Sequence, residues 1–244
     1  MKLAIMQPYF MPYIGYISLV KHTDEFILFD PVQFIRHGWI ERNRMLKQNG
    51  GWQYVQVPLL KSDGRDTLIQ DTKINNAEPW KQKMLSQIQH YKKRAPYYWK
   101  VVKMLNEIFA EDYEDITHLN KKALQVVCEY LGIHREFPIF SEMDMHLDAV
   151  NGPDEWALRI CEAWNRENRG EKVDLYINPI GGTEFFDRTK YENAGIPIAF
   201  LQMEITEYDQ HGTESFEPGL SILDVLMFNS PDEVNMMLDQ FTLV

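Results

Sequence analysis

Cysteine is scarce. The 244-residue chain has two, Cys128 and Cys161, neither in a Cys-x-x-Cys pair. That argues against a disulfide framework or a cysteine-rich zinc site and suits a reducing compartment. Long apolar runs are also lacking. No stretch approaches the roughly 20 apolar residues needed to cross a bilayer. The run after Lys2 is too short for a signal segment and is broken at Pro8. We therefore expect a cytoplasmic protein with no membrane span. Positive charge is in deficit, with 25 Lys and Arg against 36 Asp and Glu and a net charge of −11. A chain this acidic is not expected to have nucleic acid or an anionic membrane as a dominant partner, since both need basic surface. There is no internal repeat, low-complexity tract or obvious linker.

What the chain does have is an ordinary globular composition, 45% apolar and 25% charged, enough for a sizeable core. Leu3-Ala4-Ile5-Met6 reads as a buried strand, Pro12 to about His22 as a helix, and Glu25 to Asp30 as a second strand. Strand, helix and strand within thirty residues make a βαβ unit, which favours parallel pairing. The expected fold is therefore α/β, an open, mainly parallel sheet starting with a βαβ unit. Trp39 to Gln48 reads as a helix closed by Asn49-Gly50-Gly51. Trp52 to Val57 alternates as a strand, with Thr67 to Gln70 as its hairpin partner. Apolar residues at helical spacing then predict a helical subdomain at about 79–131, inside a single domain spanning 1–244. Further helices are expected from Pro153 to Trp164, from Leu220 to Phe228 and from Pro231. Strands are expected at Leu175–Pro179 and Ile196–Leu201.

Two stretches carry candidate chemistry. In Gln7-Pro8-Tyr9-Phe10-Met11-Pro12-Tyr13-Ile14-Gly15-Tyr16, the loop after the first strand meets a helix N-terminus. Ligands of open α/β sheets sit beyond the carboxyl ends of strands, and a helix N-terminus offers free N–H groups to an anion. Gln7 supplies a donor and an acceptor, Tyr9, Tyr13 and Tyr16 supply faces and hydroxyls, and Gly15 permits close approach to the backbone. The competing reading is a proline-stiffened aromatic corner that only packs the helix. The second stretch runs from Asp30 through Gln33, Arg36, His37 and Trp39 to Arg42, Asn43 and Arg44. Its guanidinium groups match phosphate or carboxylate oxygens in pairs, the alternative being a solvated basic face. Gln7, Tyr16, Asp30, Gln33 and Arg42 are expected to share one concavity. Three lesser features are Glu142, Asp144, His146 and Asp148, which on a strand would share one face with metal-ligand chemistry; Asn178 to Thr183, a sugar or phosphate cradle or simply a tight turn; and Ser221 to Asp224, a capping box. The loop bearing Glu207, Asp209 and His211 reads as a solvated turn. No metal is assigned, and the sequence names no cofactor.

Met6-Gln7-Pro8-Tyr9-Phe10, Pro12-Tyr13-Ile14-Gly15-Tyr16, Phe29 to Phe34, Trp39 with Arg42-Asn43-Arg44, and Leu220 to Asp224 together resemble the WbqC-like protein family across nearly the whole chain. Members are bacterial and are often encoded among genes for O-antigen and other surface polysaccharides. The resemblance implies a transferase acting on a nucleotide-linked sugar or glycan precursor, with a nucleotide or nucleotide-sugar as its small-molecule partner. A non-catalytic binding subunit is the alternative, and the resemblance leaves room for a homo-oligomer or a complex with a sugar-modifying enzyme. A more distant likeness is to nucleotidylyltransferases of the pantothenate synthetase kind. There the motif His-x-Gly-His stands where this chain has Tyr13-Ile14-Gly15-Tyr16, so any such activity would be degenerate.

Overall fold

The computed structural model describes residues 1–61, 66–211 and 215–244. The elements are β1 (Lys2–Met6), α1 (Ile14–His22), β2 (Glu25–Leu28), β3 (Arg42–Leu46), β4 (Trp52–Gln56), α2 (Trp80–Gln87), α3 (Tyr98–Ile108), α4 (Ile116–Tyr130), α5 (Trp156–Arg166), β5 (Leu175–Pro179), α6 (Arg188–Asn193), β6 (Ile198–Met203), α7 (Ile222–Phe228), α8 (Pro231–Leu238) and β7 (Phe241–Leu243). Five strands form one sheet in the order β2-β1-β5-β6-β7. The β1–β2, β1–β5 and β5–β6 pairs are parallel, and β7 closes the far edge antiparallel to β6.

Strand periodicity sorts the side chains onto two buried faces. Leu3, Ile5, Ile27, Tyr176, Ile198 and Phe200 pack with α5 and with Tyr191 of α6. Ala4, Phe26, Leu28, Ile177 and Leu201 face the other way, into a core that also takes α1, α7 and the helices between residues 80 and 130. Because both faces are covered, the central strands are mostly apolar instead of alternating, with Lys2 and Asn178 near their ends. α1 is buried from Ile14 to Val20 for the same reason. α8 starts with a complete capping box, in which the Ser230 hydroxyl accepts from the Glu233 N–H and Glu233 accepts from the Ser230 N–H.

Four local expectations are corrected. Trp39 to Gln48 is not a helix; its centre is β3, antiparallel to β4 with Arg42 opposite Gln56 and Arg44 opposite Tyr54. Gly50 and Gly51, at φ +90° and +65°, make the hairpin turn rather than a helix stop. The partner of β4 is therefore β3; Ile69–Asp71 is a short 3-10 turn. The strand proposed for Glu142 to Asp148 does not form, so no shared face exists. Glu142 pairs with His118, His146 with Glu167, and Asp148 with Arg166. No group of three metal-ligating side chains occurs among the described residues. The Ser221 hydroxyl accepts from the Leu223 N–H, as a cap should, but Asp224 does not complete the box. Its carboxylate turns inward to the hydroxyls of Tyr91 and Tyr208. Strand β7 was not foreseen. Both cysteines are free and buried, and burial pushes the Cys128 thiol up to about 12. No helix of the described residues is long and apolar enough to cross a membrane.

Candidate functional site

From β1 the chain crosses through α1 to β2 on one side, and from β5 it crosses through α6 to β6 on the other. The boundary between β1 and β5 is thus the point where connectivity reverses, and in open α/β sheets the crevice outside that boundary is the ligand position. A cleft of about 870 Å³ opens there, within the size range of small-molecule sites. Its floor is the carboxyl ends of β1 and β5, through Ile5, Met6, Gln7, Tyr176 and Asn178. The walls are Tyr9, Tyr13 and Tyr16 from the first loop and helix, Trp156 and Ala157 from the start of α5, and Phe185 and Phe186 from the loop after β5. The hairpin adds Asn43 and Arg44, the segment before it adds Trp39, and the segments at Ile205 and Gly219 complete the rim.

The first loop is held rigidly. Asn43 Nδ2 donates to the carbonyls of Phe10 and Met11 at 3.1 and 2.9 Å. Asn120 Nδ2 donates to those of Pro8 and Ile40 at 2.8 and 2.9 Å, and the Ser221 hydroxyl donates to Met11 at 2.7 Å. Met11 has φ +43°, a left-handed conformation that a methionine adopts only when its surroundings impose it. Two donors hold its carbonyl in place. The Tyr16 hydroxyl donates back to the Gln7 carbonyl at 3.0 Å, and Tyr9 lies 5.6 Å from the Tyr16 ring. We expect Asn120→Ala to cost about 1–3 kcal/mol, because it strips two buried carbonyls of their donor; urea denaturation beside the wild type measures it.

The outer face of the hairpin is a cation–aromatic ladder. Arg44 lies between Trp39 and Trp52, 5.6 and 5.3 Å from their rings, and donates to the Gly219 carbonyl at 2.9 Å. Arg42 covers Tyr54 at 3.8 Å and donates to the His37 carbonyl. Neither arginine belongs to an ion pair among the described residues.

Of the residues singled out in the sequence, Gln7, Tyr9, Tyr13, Tyr16, Trp39, Asn43 and Arg44 meet in the cleft. Gly15, Asp30, Gln33, Arg36 and Arg42 do not line it, so the concavity expected to hold Gln7, Tyr16, Asp30, Gln33 and Arg42 together contains only the first two. The space beside Gly15 is filled by the Tyr13 ring, 2.5 Å from where a Cβ would stand. Asp30 is buried against Ser141, whose N–H and hydroxyl both bind its carboxylate; burial pushes its carboxyl up. Gln33 is bridged to Leu68, and Arg36 is exposed. Sequence reasoning missed Trp156, Phe185, Phe186 and Tyr176. It singled out Asn178 to Thr183 without joining that stretch to the first loop, though both follow strands that end at the same edge.

The cleft's chemistry is one-sided. Among its described lining residues there is one cation, Arg44, and there is no Asp, Glu, His, Cys or Lys. Its tyrosines Tyr9, Tyr13, Tyr16 and Tyr176 all have hydroxyls pushed upward, chiefly by burial. Such groups donate hydrogen bonds but are poor bases near neutral pH.

An open α/β sheet with a ligand-sized crevice at its reversal point is the class that these features define. Within it, the chain belongs to the WbqC-like protein family, whose model matches residues 7–236. It is similar to Rv1507c of Mycobacterium tuberculosis, described as an uncharacterized protein, at 25% identity over 229 residues, covering 93% of each chain. No solved structure matches the chain significantly.

Proposed function

We propose that the cleft binds a nucleotide or nucleotide-linked sugar, and that the protein serves as a transferase in the making of a bacterial surface polysaccharide such as O-antigen. The observation that carries the reading is the charge pattern. In a chain of net charge −11, the crevice at the sheet's reversal point has an unpaired arginine and no carboxylate among its described lining. The N-terminal ends of α1 and α5 also open onto it, through Tyr13, Tyr16, Trp156 and Ala157. That combination favours a ligand with phosphate groups, and the aromatic walls favour flat rings. Calorimetric titration of the wild type with nucleoside diphosphates and their hexose conjugates tests it; absence of binding by all of them sinks the reading.

A second reading, a non-catalytic subunit that presents the ligand to a sugar-modifying enzyme, is favoured by the lack of a side-chain base among the cleft's described lining residues. Catalysis by this chain would then need a substrate that brings its own nucleophile, an amine above a hydroxyl. Turnover of a nucleotide-sugar by the purified protein with an amine acceptor separates the two. The same lack of imidazole weighs against adenylyl transfer, since Tyr16 already gives its hydroxyl to the Gln7 carbonyl.

A further inference from the structure

Two parts of the cleft lining, the hairpin side and the β5 side, differ in what they can hydrogen-bond. On the hairpin side, Arg44 supplies only donors. Its Nε is buried with no hydrogen-bond partner among the described residues, and no carboxylate neutralises it. On the β5 side, Asn178 Nδ2 donates to the Tyr176 hydroxyl at 2.8 Å, and that hydroxyl lies 3.4 Å from the Ile5 carbonyl, its acceptor. This chain fixes the carboxamide, turning Asn178 Oδ1 away as an acceptor. The oxygen lies over Gly182, 2.5 Å from where a Cβ would stand, and Gly181 beside it borders open space.

A phosphate oxygen accepts hydrogen bonds and is repelled by a bare acceptor; a sugar hydroxyl can donate to one. We infer that the ligand lies in one direction only, with its phosphates at Arg44 and a neutral, hydroxyl-bearing ring over Asn178, Gly181 and Gly182. Asn178 is then a specificity-determining residue, selecting a sugar conjugate over the free nucleotide. This rests on the nucleotide reading above and adds the orientation and the sugar subsite to it. A site built to pair with a hydroxyl discriminates strongly against analogues lacking it, because its polar group is otherwise left unpaired.

The test is calorimetric titration of the wild type, Asn178→Ala and Gly181→Ala with UDP, ADP and GDP and with their glucose conjugates. For at least one base the wild type should bind the conjugate about tenfold or more tightly than the diphosphate. Asn178→Ala should erase that preference with diphosphate affinity changed by less than about twofold. Gly181→Ala adds a methyl where nothing lies within 4 Å in the protein, so it should fold normally and erase the preference by obstruction. A diphosphate affinity that falls in step with the conjugate's in Asn178→Ala overturns the orientation, as does a preference that survives both substitutions. Wild-type binding of diphosphates with no gain from the sugar overturns the sugar subsite and leaves the nucleotide reading standing. No wild-type binding at all overturns both.

Discussion

Replacing Arg44 with alanine is expected to weaken binding of a nucleoside diphosphate by about tenfold or more, because charge-assisted hydrogen bonds are each worth about 1.5–3 kcal/mol. The neighbouring substitution, Arg42→Ala, should change affinity far less. Both arginines lie over aromatic rings of β4, Arg42 on Tyr54 and Arg44 on Trp52, but only Arg44 lines the cleft. Each loses an aromatic contact worth about 0.5–1 kcal/mol at a partly exposed site, so melting temperatures should fall by only a few degrees in both. Arg44→Lys should recover part of the binding, keeping the charge but losing the planar fork. Equal binding losses in the Arg42 and Arg44 variants would show that the hairpin acts through bulk charge. Unchanged binding in Arg44→Ala would remove this arginine from the site.

The second large effect concerns stability. Asp224 is fully buried and accepts hydrogen bonds from the hydroxyls of Tyr91 and Tyr208 and from Gln210 Nε2 at 3.3 Å. The Tyr91 hydroxyl also accepts from the Leu46 N–H at 2.9 Å, and Gln210 exchanges two hydrogen bonds with the Glu217 backbone. One carboxylate therefore ties α7 to the hairpin and to the segment that forms the cleft rim. Asp224→Ala leaves the buried hydroxyls of Tyr91 and Tyr208 without an acceptor and opens a void among them, while Gln210 keeps the Glu217 carbonyl, and a loss of about 3–5 kcal/mol is expected. That corresponds to a fall in Tm on the order of 10 °C for a chain of this length.

Asp224→Asn isolates the charge. Burial pushes the Asp224 carboxyl above its ordinary value in the folded protein, against the lowering effect of its tyrosine and glutamine donors. The folded state then holds a proton that the unfolded state has released. The stabilisation from this group is full below the unfolded value near 3.8 and is lost as pH rises through the higher folded value. The stability advantage of wild type over Asp224→Asn should thus shrink as pH is raised from acid toward neutral, measured by urea denaturation at each pH. Glu155 acts in the opposite sense. Its pairing with Lys190, at 2.9 Å, holds its carboxyl down to about 2, so its contribution is present above the ordinary value and fades as pH falls toward 2. The difference between the two proteins cancels that background. An advantage that stays flat with pH would mean that Asp224 does not titrate differently on folding.

What could be read from the sequence follows the range of the interactions. The βαβ start and the helices between residues 80 and 130 were legible because apolar spacing is a local signal. The β3–β4 hairpin was misread because Asn49-Gly50-Gly51 can end a helix or turn a hairpin. The choice depended on Asn43 and Met45 facing inward with Arg42 and Arg44 outward, a period of two hidden in a charged run. β7 has only three residues, too few to show a pattern. The first half of the cleft was visible as one dense loop. The rest was not, because Asn120 meets Pro8, Ser221 meets Met11 and Tyr176 meets Ile5 across more than a hundred residues each. Sequence alone gives no local sign of such meetings.

The interior position of β1, between β2 and β5, also has a consequence during synthesis. Lys2 and Leu3 pair with Leu175 and Tyr176, so β1 waits for a partner made about 170 residues later. At roughly 5–20 residues per second that is on the order of ten to thirty seconds. A β1–β2 pair formed within this interval would present an unpaired strand edge beside bare apolar faces, an invitation to pair with the wrong chain. Crowded ribosomes on one messenger would bring such edges close together. Yield of native protein should therefore respond to translation speed and to chaperone supply more than the finished molecule's stability would suggest.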